Sequence, residues 1–300
     1  MVNSFVRISS LVVAVMTLVG AAYQFSEWRV SGRMDQGGDA IRDVVIDTPN
    51  TQTDDHILGV AVALDGRFVT GTRGGTVTLR SAAGELLHTW QAHAGPVTAL
   101  SFLPDSSTVV SVGRDGVLRV WSLSASEPVL HVEARNPGPV FSAAVSSDGQ
   151  LLAIASVGRI AVWQLRSDCL ASVVEFTSAP YAINTLAFSD DGRTLAAGNN
   201  GDGCAWLWRL DLPAESQRID LSPEFQIRGL RFTCNGGLVA VDTDGNVILA
   251  NAGEPARLVG RLPGQRIRQA TFSSDGRRVI IAYMDGTARL TAVPARAVGR

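Results

Sequence analysis

The chain has 300 residues, of which 46% are hydrophobic and 18% are charged, with a mean hydropathy of +0.16 and a formal net charge of −2 at pH 7. This composition predicts a folded protein with a large apolar core, and it argues against disorder and against general nucleic-acid binding, which needs excess positive charge. All 26 side chains counted as Lys+Arg are arginine, which excludes a lysine Schiff base and a lysine-containing phosphate loop.

The first element along the chain is an uncharged, mostly apolar segment from Ile8 to Phe25. As a helix it would be about 27 Å long, close to the roughly 30 Å hydrocarbon core of a bilayer. Residues 1–28 are therefore predicted to form a single transmembrane anchor, and a signal peptide cleaved near residues 20–22 is the alternative. Flanking charges nearly balance, so the short leading segment decides the orientation and favours an extracytoplasmic (periplasmic) body, with a cytoplasmic body as the alternative.

One face of this segment carries small side chains. At 100° per residue they lie within about 60° of one another around the helix. Small residues allow a second membrane helix to approach closely, so this face is predicted to pack against another subunit. Its members are Ser10, Ala14, Thr17 and Ala21.

Residues 29–55 are predicted to be a polar linker that contains one strand-like segment, Arg42–Asp47. Residues 56–294 then repeat with a period of 40 to 45 residues, and residues 295–300 are left as a C-terminal tail. One series of turns begins at Asp65, Asp105, Asp148, Asp191, Asn235 and Asp275. A second series ends at Gly75, Gly116, Gly158, Gly203, Gly245 and Gly286.

This period is the length of a four-stranded propeller blade, with strands a to d in each repeat. The Asp-Gly pairs between apolar runs predict a–b and b–c hairpins with type I′ turns. We therefore expect an all-β, six-bladed β-propeller, with seven blades, one of them degenerate, as the alternative. The candidates for strand d are Leu86–Trp90, Val129–Glu133, Leu170–Glu175, Gln217–Leu221 and Ala256–Leu262.

The last repeat ends after strand c and lacks a strand d. The segment Arg42–Asp47 is the remaining strand-like stretch outside the repeats. We predict that it supplies the missing strand and closes the ring, because closure removes exposed sheet edges.

The second repeat, QAHAGPVTALSFLPDSSTVVSVGRDGVLRVWSL, resembles the WD-repeat propellers. Trp163 and Trp208 occupy the same place in their repeats as the tryptophan of this one, whereas no Asp follows any of them. In that family a His, a Ser, an Asp and a Trp form a structural hydrogen-bonded tetrad. The resemblance implies this role for His93, Ser111, Asp115 and Trp121.

The same resemblance implies that partners bind the face formed by the d–a loops and the b–c turns. Arginine and aromatic side chains, which commonly anchor interfaces, occur in these loops. The predicted partner-binding residues are Arg73, Arg114, Arg159, Tyr181, Phe225, Arg266 and Arg268.

The 3 cysteines and 4 histidines match no metal, redox or nucleophile motif. We therefore predict no catalytic residue, no metal and no cofactor. The predicted function is that of a membrane-anchored scaffold, assembly or stabilising subunit of a larger membrane protein complex, for which an energy-transducing (respiratory or photosynthetic) complex is a suitable host. Its partners would be other membrane subunits and the lipid bilayer, and not nucleic acid. The alternative is an envelope enzyme or ligand-binding protein that uses the central channel.

Overall fold

The computed structural model describes residues 44–46, 55–124, 127–135, 138–166, 170–176, 183–199, 201–222, 226–251, 253–264, 266–273, 275–294 and 297. The predicted membrane anchor, with Ser10, Ala14, Thr17 and Ala21, lies outside these residues. Within them, no helix has the length and apolar character that a membrane crossing requires.

The described residues form six four-stranded antiparallel sheets. Blade 1 consists of β2 (Ile57–Val62), β3 (Phe68–Thr72), β4 (Thr76–Arg80) and β5 (Leu86–Gln91). Blade 2 consists of β6 (Val97–Phe102), β7 (Thr108–Gly113), β8 (Val117–Ser122) and β9 (Val129–Arg135). Blade 3 consists of β10 (Val140–Val145), β11 (Leu151–Ser156), β12 (Arg159–Leu165) and β13 (Leu170–Phe176).

The second half of the ring continues the pattern. Blade 4 consists of β14 (Ile183–Phe188), β15 (Thr194–Asn199), β16 (Cys204–Arg209) and β17 (Leu212–Asp220). Blade 5 consists of β18 (Ile227–Phe232), β19 (Leu238–Asp242), β20 (Asn246–Ala250) and β21 (Arg257–Arg261). Blade 6 consists of β22 (Ile267–Phe272), β23 (Arg278–Tyr283), β24 (Ala288–Ala292) and β1 (Val44–Ile46).

The first strand of every blade lies innermost, and neighbouring inner strands contact one another around the whole ring, with β22 against β2. Six apolar clusters fill the space between blades, and each draws its residues from two adjacent blades. The predicted six-bladed, all-β propeller is confirmed, and its core is a circle of six layers between sheets.

Strand β1 occupies the outer edge of blade 6, where the sequence predicts a closing strand. It pairs antiparallel with β24, and Val44 lies opposite Leu290. Val44 and Ile46 are buried in the apolar layer between blades 6 and 1, whereas Val45 between them is 37% exposed. Burial therefore alternates along these three residues, as expected for a strand with one buried face.

The turn type differs from the predicted one. In blade 1 the Gly66 N–H donates to Ala63 O at 3.1 Å and the Ala63 N–H donates to Arg67 O at 2.8 Å. Gly66 has a φ of 86°, while Asp65 before it has no positive φ. The prediction of type I′ turns is wrong, because a type I turn followed by one left-handed glycine needs a positive φ only once.

Candidate functional site at the mouth of the axial channel

Every inner strand contains a β-bulge directly after a buried Ile or Val. A bulge leaves one residue without a partner in the ladder and redirects its side chain. The six bulge residues are Leu58, Thr98, Phe141, Asn184, Arg228 and Arg268. All six line one cavity of about 310 Å³. Because each blade contributes one of them, the cavity lies on the propeller axis.

The cavity opens on the face of the d–a loops and b–c turns. Besides the bulge residues, its lining contains His56, Arg73, Pro96, Arg114 and Gln269. Four arginines thus share the cavity, and no Asp or Glu is among the described residues that line it. The described part of the lining is therefore rich in basic side chains.

Burial changes the electrostatics of the two bulge arginines. Burial lowers the pKa of Arg228, and the positive charge of Arg268 lowers it further. Burial also lowers the pKa of Arg268. Both side chains stay protonated, because an arginine pKa lies far above neutral pH. The cavity therefore holds like charges that are partly removed from water.

The arginines are held in different ways. The Arg228 Nε donates to Thr243 Oγ1 at 3.4 Å, and its Nη2 donates to Gln226 Oε1. The Nε of Arg268 is buried and has no hydrogen-bond partner among the described residues.

Backbone hydrogen bonds fix the two turn arginines. The Arg73 N–H donates to His56 O and the Arg114 N–H donates to Pro96 O, both at 2.9 Å. Each b–c turn is thereby tied to the d–a loop that precedes its blade. The backbone carrying both arginines has a defined place at the mouth.

The structure brings Arg73, Arg114 and Arg268 together but separates two other predicted partner-binding residues from them. The β11–β12 loop is one residue shorter than the β3–β4 loop, so Arg159 pairs directly with Ser156 inside the sheet. There Arg159 forms an ion pair with Glu175 of the same blade.

Arg266 is exposed in the loop before β22, with a φ of 55°, and its carbonyl oxygen accepts the Met284 N–H at 3.0 Å. It does not line the cavity. The other two predicted residues, Tyr181 and Phe225, lie outside the described residues.

Phe141, Asn184 and Arg228 line this site but are not among the partner-binding residues predicted from the sequence. A signal for them exists, since each inner strand begins with an Ile or Val followed by the bulge residue, at the same place in all six repeats. Strict alternation would turn that residue toward the neighbouring layer, and only the bulge directs it to the axis.

A second cluster of side chains lies beside Arg114, in blade 2. Trp121 Nε1 donates to Ser111 Oγ at 2.9 Å, and Ser111 Oγ lies 2.8 Å from His93 Nε2. His93 Nδ1 lies 3.3 Å from both carboxylate oxygens of Asp115. All four side chains are satisfied when Ser111 donates to Nε2 and Nδ1 donates to Asp115.

This chain of hydrogen bonds joins the d–a loop to strands b and c. Burial lowers the pKa of His93, while the charge of Asp115 opposes that shift. A neutral ring fits the donor order above. The cluster braces the turn that carries Arg114.

Other blades lack the full cluster. In the pairing register, the position of Ser111 is Ile154 in blade 3 and Ala197 in blade 4. Trp208 of blade 4 is buried at 1% exposure, and its Nε1 has no partner among the described residues. Because that hydroxyl is missing, this tryptophan has packing contacts, with Phe176 and Trp206, in place of a hydrogen bond among the described residues.

Comparison with known proteins shows what two of the repeats are similar to. The family model described as "WD domain, G-beta repeat" matches residues 84–122 and 169–209. The target of rapamycin complex subunit wat1 of Schizosaccharomyces pombe is 28% identical over 126 residues, which cover 41% of this chain and 38% of that protein. The small ribosomal subunit protein RACK1 of Candida albicans is 30% identical over 129 residues, which cover 41% of this chain and 39% of that protein.

The matches span less than half the length of these two relatives. A chain in the crystal structure of a mitotic checkpoint complex superposes with a TM-score of 0.63, covering 81% of this chain and 76% of that chain at 19% identity. At this identity the superposition supports the fold alone. This chain is therefore a six-bladed β-propeller in which two segments, residues 84–122 and 169–209, match the WD40 repeat model.

Proposed function

We propose that the protein is a non-catalytic scaffold that binds protein partners as a subunit of a larger assembly. The observation that carries this proposal is the WD40 repeat match, because the two relatives above are named as subunits of larger assemblies, a target of rapamycin complex and a small ribosomal subunit. A ring braced by six layers of core offers a rigid face on which partners can assemble.

The proposed partner-binding face is the mouth of the axial channel with its loops. Arg73 and Arg114 are exposed there on turns that backbone hydrogen bonds hold in place. Arginine is enriched among the residues that dominate binding energy, since its planar group makes bidentate contacts and stacks on aromatic rings. Arg266, Tyr181 and Phe225 belong to the same loops by sequence. Arg159 is not included, because it is paired with Glu175.

We further propose that the host is a membrane protein complex and that the propeller lies on the extracytoplasmic side. The length and lack of charge of Ile8–Phe25 support the anchor, and its face of small residues supports packing against another subunit. More narrowly, we propose that this host is an energy-transducing complex.

The test is affinity purification of the tagged protein at native abundance from membranes solubilised in mild detergent, with quantification of the co-purifying proteins. We expect a defined set of membrane subunits. The double variant Arg73→Glu, Arg114→Glu should lower their recovery about tenfold or more, because charge reversal at an interface centre opposes binding. Deleting residues 1–28 should release the propeller from the membrane fraction.

The matched control is Arg193→Glu with Arg277→Glu. Both residues are exposed on a–b turns at the opposite face of the ring, so partner recovery should be unchanged. Purification of the wild-type protein as a monomer without partners would overturn the scaffold proposal. Recovery of a soluble complex from detergent-free lysate would overturn only its membrane part.

A further inference from the structure

We propose that Asn235, in the a–b turn of blade 5, is a site of spontaneous deamidation, at which water converts the side-chain amide into a carboxylate. The turn lies on the face opposite the mouth, so this modification goes beyond the scaffold role and does not depend on it. The nucleophile, the attacked carbon and the leaving group all belong to residues 235 and 236.

The first observation is which residue stands at this place in the repeat. The other five a–b turns carry an aspartate there, namely Asp65, Asp105, Asp148, Asp191 and Asp275. In each of those turns the aspartate Oδ1 accepts the backbone N–H two residues later, at 2.8 to 3.0 Å. Blade 5 is thus the one blade in which an amide replaces the carboxylate at this place.

Asn235 does not form this bond, although its turn has regular backbone hydrogen bonds. The Gly236 N–H donates to Thr233 O at 2.9 Å, and the Thr233 N–H donates to Gly237 O at 2.8 Å. Within this turn, all of which is described, Asn235 Oδ1 does not accept the Gly237 N–H and lies instead 3.7 Å from Cys234 Sγ. Because a thiol is a weak donor, the exposed amide is held loosely.

A second side-chain bond is also missing from this turn. At the place of Thr233, blades 3, 4 and 6 have a serine whose Oγ donates to the turn aspartate at 2.5 to 2.6 Å. Thr233 Oγ1 is buried and has no hydrogen-bond partner among the described residues. Attack on Asn235 requires the Gly236 N–H to leave Thr233 O, and a turn held by fewer bonds opens at a lower free-energy cost.

The residue after Asn235 leaves room for the reaction. Gly236 is exposed, and a Cβ at this position would meet nothing within 4 Å. The Gly236 nitrogen gives up its proton to solvent and attacks Asn235 Cγ, the C–N bond of the side-chain amide breaks, and the amide group takes up a proton and leaves as ammonia. The product is a five-membered cyclic imide. A bulky or β-branched following residue crowds this approach, whereas glycine does not.

Water then opens the imide. Addition of water at Cγ breaks its bond to the Gly236 nitrogen, which regains a proton, and leaves an aspartate at position 235. Addition at the main-chain carbonyl gives isoaspartate, in which the chain runs through Cγ. In both cases one water is consumed, one ammonia is released and nothing is oxidised or reduced. The aspartate product keeps the ordinary backbone and can accept the Gly237 N–H as the other five turns do.

The conversion adds a negative charge beside a cavity of about 600 Å³ between blades 4 and 5. Cys234 and Gly236, the two neighbours of Asn235, both line this cavity. Its acidic lining residues are Asp190, Asp191 and Glu215. Because Asn235 is exposed, water and salt screen the new charge from them. The charge of this face therefore changes with the age of the protein, while the mouth stays unchanged.

The experiment incubates the purified, folded full-length protein in mildly alkaline buffer and follows tryptic peptides by mass spectrometry, with a zero-time sample to correct for conversion during digestion. Because the chain has no lysine, trypsin releases residues 232–257 as one peptide, which also holds Asn246 and Asn251 as internal references. The other Asn-Gly pair, at 200–201, falls in a different peptide. Deamidation raises the peptide mass by one unit, and fragment ions locate it. We expect conversion at Asn235 about tenfold or more faster than at either reference, because both references precede larger residues.

Gly236→Ala is the matched control. Its Cβ meets open space and its φ of 78° adds only local strain, so the variant should fold, and conversion should slow about tenfold or more. Asn235→Gln, which cannot form the five-membered imide, serves if Gly236→Ala fails to fold, and the mass gain at this position should disappear. Conversion at Asn235 no faster than at the references, or unchanged in both variants, would overturn the site.

Asn235→Asp tests whether the product fits the turn. Its unfolding midpoint should equal or exceed that of the wild type, because a carboxylate accepts the backbone N–H more strongly than an amide does. A lower midpoint would overturn this fit. Partner recovery plays no part in any of these readouts, so their failure is distinct from failure of the scaffold proposal.

Discussion

His93 is buried with a hydroxyl on one ring nitrogen and a carboxylate on the other. Such a ring is most stable when it is neutral, since burial penalises the charged form more than Asp115 favours it. The WD-repeat resemblance points to this residue, and the structure supplies the hydrogen-bond order. Arg119, whose Nη1 lies 3.1 Å from His93 Nδ1, adds to the shift by lowering the pKa of His93.

We predict that this residue makes stability depend on pH just below neutrality. The pKa of His93 in the folded protein is lower than its ordinary value of 6.5, so below that value the unfolded chain binds a proton that the folded chain does not. Stability is therefore fully present above about pH 6.5 and declines as the pH falls. Thermal unfolding midpoints between about pH 7.5 and about pH 5.5 should show this decline, and His93→Gln should flatten it.

The control for this prediction is His131→Gln, because His131 is exposed on β9. Its curve should run parallel to that of the wild type. If the unfolding midpoint fell equally steeply with pH in the wild type and in His93→Gln, a neutral His93 would be contradicted. The turn aspartates act in a separate, more acidic window: hydrogen bonds from Ser146 and from Ser189 lower the pKa of Asp148 and Asp191 below 3.8, and the stability that they add is lost only as the pH falls through that range.

The last residue of strand b determines how each blade is joined to the d–a loop that precedes it. In blade 2 this position is Gly113, which leaves room for His93 and Asp115. In blade 5 it is Asp242, whose carboxylate accepts from Ser222 Oγ at 3.3 Å and Asn246 Nδ2 at 2.8 Å. Two different sets of side chains therefore make the same junction.

We predict that Gly113→Ala loosens blade 2. An added Cβ would lie 2.5 Å from His93 Nδ1 and closer still to Asp115 Oδ1. Because both atoms are held by the buried cluster, the clash should lower the free energy of unfolding by about 2 kcal/mol. Urea denaturation monitored by circular dichroism measures this change.

Gly95→Ala is the matched control, since a Cβ at Gly95 meets nothing within 4 Å. Its effect should stay within about 0.5 kcal/mol. Equal stability of the Gly113→Ala and Gly95→Ala variants would show that the cluster yields easily and does not brace the turn.

For the molecule as a whole, closure of the ring depends on three residues that lie far from their partner in sequence. Strand β1 pairs with β24, so blade 6 contains both ends of the propeller chain. Apolar layers between blades then link each sheet to the next, including blade 6 to blade 1. Damage at the closing strand is expected to weaken the whole ring.

We predict that Ile46→Ala lowers the stability of blades distant from it. Ile46 is 2% exposed, and truncating such a side chain costs about 3 kcal/mol. Four of the blades contain the described tryptophans, Trp90, Trp121, Trp163, Trp206 and Trp208, and blade 6 contains none. Tryptophan fluorescence in a urea titration should therefore shift to a lower midpoint together with circular dichroism.

Val45→Ala, one residue away on the exposed face of β1, should change stability by less than about 0.5 kcal/mol. A fluorescence midpoint that stays at the wild-type value in Ile46→Ala would mean that blades 1 to 4 unfold independently of ring closure.

The repeat, the six blades and the approximate strands could be read from the sequence, because turn chemistry and apolar runs are local signals that recur every 40 to 45 residues. Strand d of blade 4 shows the limit of this reading: the structure begins it at Leu212 and ends it at Asp220, whereas the pattern indicated Gln217–Leu221. Its exposed, polar residues carry little periodic signal.

Tertiary structure decided which arginine side chains reach the axial cavity. The sequence determined that arginine is the basic residue of this protein and that several arginines lie in loops of one face. A bulge directs Arg228 and Arg268 into the cavity, whereas a loop shorter by one residue keeps Arg159 in the sheet. Side-chain direction changes with a single residue of register, and register depends on pairing between strands. Convergence on one axis arises only when six blades close into a ring.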